Sequence, residues 1–152
     1  MSEAPRSRLQ RIQDTLHRLE HDVDAWIATA SADGAPYMIP LSFLWDADTV
    51  LISTPASSPT SRNLMATGKV RVGIGPTRAL VLIEGMALAL ADDDVSPELG
   101  DQFAEKTGFD PRELKTPYRY FRIRPIRIQA WREADELNGR DLMRNGEWLS
   151  AD

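Results

Sequence analysis

Residues 79–90 constrain the fold more than any other part of this chain. Leu80, Leu82, Met86, Leu88 and Leu90 share one parity, while Val81, Ile83, Ala87 and Ala89 share the other. A strand with two apolar faces has to be covered on both. In a chain of 152 residues, one face can meet the domain's own core and the other is left for a second subunit. That length allows a single domain, residues 1–152, and is too short for two ordinary ones.

The neighbouring segments follow the same strand pattern. Residues 23–31 read as a strand, and Asp33-Gly34 marks a turn because both residues tolerate positive φ. From Ala35 the pattern alternates, placing Tyr37, Ile39, Leu41, Phe43 and Trp45 on one face. A turn at Asp46-Ala47-Asp48 leads into a third strand over 49–54, and the three strands are expected to form a meander. Residues 69–75 alternate again, with Val70, Val72 and Ile74 inward. The last long strand spans 118–131. Its apolar parity switches at Pro125, which predicts a bulge or bend. Arg122, Arg124, Arg127 and Arg132 make this strand basic, and the favoured reading is charge protecting a sheet edge. In the tail (133–152), Asn145-Gly146 lies between Leu142-Met143 and Trp148-Leu149, a hairpin signal.

Three helices separate these strands. An N-terminal helix within 1–21 has Ser7-Arg8-Leu9-Gln10 as a capping box and Leu9, Ile12, Leu16 and Leu19 as its apolar stripe. Ser58-Pro59 opens a second helix that Gly68 closes, and Ser96-Pro97 opens a third that Gly108 closes. Six strands with short helices predict a mainly β fold, a small β-barrel with helices at its ends.

Composition removes several function classes. There is no cysteine, which excludes disulfides, thiolate catalysis and cysteine metal sites. The formal net charge of −5 argues against a duplex-DNA partner. No stretch is long and apolar enough to span a membrane, and the N-terminus lacks a secretory h-region, so a cytoplasmic location is expected. His17-Arg18-Leu19-Glu20-His21 has metallopeptidase spacing, but both histidines fall off the apolar stripe and are read as a solvated face, so no metal is expected. Gly73-Ile74-Gly75 lacks the third glycine of a dinucleotide fingerprint.

The most informative stretch is 52–64, ISTPASSPTSRNL. A strand feeds a hydroxyl-rich loop that opens a helix. The first amides of a helix have no internal acceptors, and the dipole makes that end positive. Ser58, Thr60, Ser61 and the charge of Arg62 make a phosphate cradle one reading; plain helix capping is the other.

In order and spacing, these elements resemble the pyridoxamine 5′-phosphate oxidase-like family of FMN-binding split β-barrels. The likeness runs from DAWIATASADGAPYMIPLSFLWDADTVLISTPASSPTSRNL to RIRPIRIQAWR, covering most of residues 20–132. It implies a six-stranded antiparallel split barrel, a homodimer with flavin at the subunit interface, and an oxidoreductase acting on a small-molecule substrate or electron donor. Carried over by position, the ring would pack near Ile39, Pro40 and Leu41. The phosphate would lie by Ser53, Thr54, Ser58, Thr60, Ser61, Arg62 and Asn63, and Trp131 would approach across the interface. Many relatives carry a lysine two residues before the R-N-L arginine, where this chain has Thr60. The same fold also serves the deazaflavin coenzyme F-420, heme, and binding modules without turnover. No acid or base side chain is assigned.

Overall fold

The computed structural model describes residues 4–150. The first three positions of the expected N-terminal segment and the last two of the tail lie outside them. The elements in chain order are α1 (Arg8–His21), β1 (Asp24–Ala30), β2 (Pro36–Ser42), β3 (Leu44–Asp46), β4 (Thr49–Pro55), α2 (Pro59–Thr67), β5 (Lys69–Ile74), β6 (Leu80–Ala89), α3 (Pro97–Thr107), β7 (Tyr118–Trp131), β8 (Asp141–Arg144) and β9 (Glu147–Trp148). Single 3₁₀ turns lie at Asp92–Asp94, Pro111–Glu113 and Ala134–Glu136.

All strands pair antiparallel in one sheet of order β2-β1-β5-β6-β7-β4-β3, with β8 added to β7 and β9 to β8. The class is as expected, but among the described residues nine strands replace six and the meander is broken. The run 35–45 divides at Phe43 into β2, which pairs with β1, and β3, which pairs with β4. These two pieces are consecutive in the chain yet occupy opposite ends of the sheet order. The sheet therefore curls until its ends meet at Phe43, whose side chain is fully buried and whose amide donates to Val23 O at 2.9 Å. No ladder joins β2 to β4, so the barrel is split there. Pro40 and Pro55 stand on the two lips of the split, and neither has an amide hydrogen with which to pair across it.

The core fills the curl with Ile27, Val50, Ile52, Val72, Ile83, Phe121, Ile123 and Ile128, all inaccessible to solvent. Strand β6 has the two faces expected of it. Val81 and Ile83 join the core, while Leu88 is 68% exposed on the outer face, in company with Trp26 at 52% and Met38 at 60%. The β7 bulge also falls where the parity switch placed it. Glu84 pairs with Arg127 but Gly85 with Pro125, leaving Ile126 as the extra residue. A β-carbon at Gly85 would lie 2.7 Å from Ile123 Cγ2 and 2.9 Å from Arg124 O, so only glycine fits opposite the bulge.

Two expectations change. Strand β7 is not an edge: it pairs with β4, β6 and β8. Arg122, Arg124 and Arg127 stand on its outer face, with Arg122 bound to Asp46 at 3.1 Å and Arg127 to Asp141 at 3.0 Å. Helix α1 keeps most of its expected stripe but buries more than that: Leu19 is buried and Ile12 and Leu16 pack against the core, whereas Leu9 is exposed and Arg11 and Thr15 are buried in addition. Arg11 donates to Ala130 O at the end of β7 and to Glu136 O and Asn138 O in the tail. Ser7 does cap α1, accepting from the Gln10 amide, while the Gln10 side chain bonds Asp14 instead of closing the box. His17 and His21 are exposed with rings stacked at 4.1 Å, and no three metal-ligating side chains gather among the described residues. No described helix is long and apolar enough to cross a membrane.

Candidate functional site

The split and the start of α2 lie at one end of the barrel. Along β4, Ile52 and Thr54 point inward, while Leu51 and Ser53 face outward beneath α3. The chain then turns at Ala56-Ser57, held by Ser58 N to Pro55 O and Ala56 N to Pro117 O, both 3.0 Å. Ser58 caps α2: its Oγ accepts from the Ser61 amide at 3.1 Å and lies 3.0 Å from Thr54 Oγ1. Capping thus does occur here, but it does not account for every hydroxyl. Thr60 Oγ1 and Ser53 Oγ are buried with no hydrogen-bond partner. Buried hydroxyls are ordinarily satisfied, so two orphans this close to one helix terminus point to a missing partner. No acidic residue occupies the first turn of α2, leaving its positive end uncompensated.

A cation reaches this terminus from the neighbouring strand. Arg119 on β7 is the cross-strand partner of Thr54, and its Nη1 approaches Ser61 Oγ at 3.4 Å. Arg62 is exposed and turns back to donate to Ser57 O at 2.7 Å. Asn63 is buried and donates to Thr29 Oγ1 at 3.0 Å, tying α2 to β1.

Beside this terminus, the split opens into a cavity of about 380 Å³. Pro40, Leu41 and Ser42 form one lip and Ser53 and Pro55 the other, with Phe103, Phe109 and Tyr118 as an aromatic wall. Asp24, bound by Ser42 Oγ at 2.7 Å, is the one charged side chain in the lining. Deeper under α3, the Tyr120 hydroxyl is buried without a partner, and burial raises its pKa. Lys106 closes the seam nearby. It donates to Phe43 O at 3.1 Å and sits 4.4 Å from that ring's centroid, and burial lowers its pKa.

The residues expected at a site therefore fall into three groups. Pro40, Leu41 and Ser53 line the cavity, and Ile39 is half-buried beside them on β2. Thr54, Ser58, Thr60, Ser61, Arg62 and Asn63 gather where β4 hands over to α2. Trp131 joins neither in one subunit: it lies at the other end of β7, roughly 40 Å along the strand from Tyr118. It stands on the outer face, opposite Leu80, with the Arg140 guanidinium 5.5 Å from its ring. Missing from that set were Asp24, Ser42, Pro55, Phe103, Phe109, Tyr118 and Arg119. The last two could be found only by pairing β7 with β4.

The donor set fits a phosphorylated planar cofactor. The helix terminus, the hydroxyls and Arg119 match an anionic tail. The slot between proline lips and aromatic walls matches a flat ring, with the orphaned Ser53 hydroxyl available to it.

Comparison with known proteins agrees with this architecture. The model of the pyridoxamine 5′-phosphate oxidase family matches residues 16–132. Among solved structures, a putative pyridoxamine 5′-phosphate oxidase from Listeria innocua is similar at TM-score 0.65 and 18% identity, covering 80% of this chain and 98% of that one. An FAD-binding protein from Mesorhizobium loti gives 0.63 and 18%, with coverage of 77% and 89%. An F420 reductase gives 0.59 and 19%, with coverage of 74% and 93%. No curated protein matches the sequence.

Proposed function

Since this chain belongs to the pyridoxamine 5′-phosphate oxidase family, we propose that it binds FMN and works as a flavin-dependent oxidoreductase on a small molecule. The observation that carries this reading is the pairing of an apolar slot with a cationic, acid-free helix terminus. The flavin-type neighbours support the same direction.

Bound FMN supplies hydride or single-electron transfer. Ser58, Ser61 and Arg119 hold the phosphate in this proposal, and Thr54 orients Ser58. Thr60 supplies a hydroxyl where relatives place a lysine, and Arg119 supplies the charge. Arg62, turned toward Ser57 O, contributes at longer range. Pro40, Leu41 and the aromatic wall exclude water from the ring. A deazaflavin cofactor carries a longer charged tail and requires a more extended basic groove than Arg119 and Arg62 provide.

The functional unit in this proposal is a homodimer. A second copy covers the outer face around Trp26, Met38, Leu82 and Leu88 and brings Trp131 toward the partner's slot. Leu82→Asp then dissociates the dimer, while Val81→Asp unfolds the subunit because Val81 is in the core. Light scattering and circular dichroism separate the two outcomes.

The main test is the absorption spectrum of freshly purified protein, with mass spectrometry of what heat releases. An oxidised-flavin spectrum, release of FMN and reduction by a nicotinamide donor with turnover are expected. A deazaflavin spectrum would reassign the cofactor. Tight FMN binding with no turnover over a broad donor panel would leave a binding module.

A further inference from the structure

A second cavity, of about 360 Å³, lies at the far end of the barrel, between α1 and the paired ends of β6 and β7. Trp131, not Tyr118, marks this end of β7, so the cavity is remote from the split and from α2 of the same subunit. Thr15 projects into it from α1. The residue is 1% exposed, and its hydroxyl is buried with no hydrogen-bond partner. One turn further on, Arg18 lines the same cavity.

Two features hold Arg18 ready for a ligand. Its guanidinium packs against the β5–β6 turn, where a β-carbon at Gly75 would lie 2.9 Å from Nη1, so the glycine leaves the space it occupies. Its ion-pair partner is Asp22, four residues on, at 3.2 Å, with both side chains about one-third exposed. Such a pair contributes little, so the fork can turn to a better acceptor. Arg6 on the rim is already engaged by Asp14 at 3.0 Å and by buried Glu136 at 2.8 Å. Arg132, also in the lining, bonds Glu136 as well.

The charges select among anions. A guanidinium fork and a nearby hydroxyl match a carboxylate, which accepts two parallel N–H bonds and a third from an O–H. Asp14 and Asp22 border the same space and would repel a dianion. Leu80 and Val81 supply an apolar wall for a short hydrocarbon tail. We propose that this cavity is a second ligand site, which binds a small aliphatic monocarboxylate through Arg18 and Thr15. The proposal does not rest on the flavin reading.

Titration of the full-length protein with butyrate, followed by amide chemical shifts, tests the assignment, with inorganic phosphate at matched ionic strength as the contrast. Saturable shifts are expected at Thr15, Arg18 and Leu80, with no such response to phosphate. Thr15→Val and Arg18→Gln should each weaken butyrate at least tenfold. Thr15→Val carries its own folding control. Replacing an orphaned hydroxyl with a methyl group should leave Tm unchanged or raised while removing binding. The proposal is overturned by no saturable response in the wild type, by unchanged affinity in both variants, or by phosphate binding there as tightly as butyrate.

Discussion

Helices α2 and α3 begin and end alike. Each starts with a serine cap and a proline, Ser58-Pro59 and Ser96-Pro97, and each ends on a left-handed glycine, Gly68 and Gly108. Their serine side chains make the same bond, to the amides of Ser61 and Leu99, both at 3.1 Å. What surrounds the two caps differs. The α3 terminus is exposed and carries Glu98 in its first turn. The arginine beside it, Arg112, is held by Asp101 and Asp110, each at 2.8 Å. The α2 terminus carries no acid, buries Thr60 and Ser61, and receives Arg119, whose bond goes to a hydroxyl. One capping motif therefore yields a self-neutralised helix end in α3 and an anion-ready one in α2. The difference comes from neighbouring strands and not from the helix.

The largest effect that sharpens this contrast is in packing. Phe103 anchors α3 over Leu51 and Tyr120, so Phe103→Ala should lower unfolding free energy by about 3–5 kcal/mol in urea titrations. Helix α1, held by charge, offers a second comparison. Burial pushes the Glu136 carboxyl up, but hydrogen bonds from the Arg6 side chain and from the Arg6 and Arg132 amides outweigh it and hold the pKa at about 2. A depressed carboxylate stabilises fully above its unfolded value of 4.5, and this contribution is lost as pH falls toward 2. The loss is on the order of 3 kcal/mol. Acid titration of Glu136→Gln should show a flatter decline over that window than the wild type. At the α2 terminus, Arg119→Gln should weaken FMN about 10- to 30-fold and riboflavin hardly at all, since loss of one charge-assisted bond is worth roughly 1.5–2 kcal/mol. Arg62→Ala should have a smaller effect, and calorimetry ranks the two. Smallest, Ser58→Ala and Ser96→Ala should each cost about 1 kcal/mol of stability. Only Ser58→Ala should also weaken FMN, and comparable losses from both would remove the distinction drawn between the two helices.

What the sequence disclosed was local. The Ser-Pro starts, the glycine stops, the Asn145-Gly146 hairpin and the Pro125 bulge are each set by a few adjacent residues, and each was legible. The hand-over from β4 to α2 was legible in the same way, from residues 52–64. Pairing between distant segments was not legible. Arginines on β7 look alike whether they guard an edge or stand on the outer face of a central strand, and only the ladders to β4 and β6 decide. The same ladder brings Arg119 to Thr54, across 65 residues of chain. On α1 the stripe of Ile12, Leu16 and Leu19 packs on the core as read, but the burial of Arg11 was not legible, because its partner is Glu136 O in the tail, more than a hundred residues away.

Calorimetric titration of the apoprotein with FMN and with riboflavin tests the central claim most directly, because the two ligands differ by the phosphate alone. The account predicts FMN binding at least tenfold tighter than riboflavin, with Arg119→Gln removing most of the difference. Equal affinities in the wild type, or no uptake of either ligand, would contradict it.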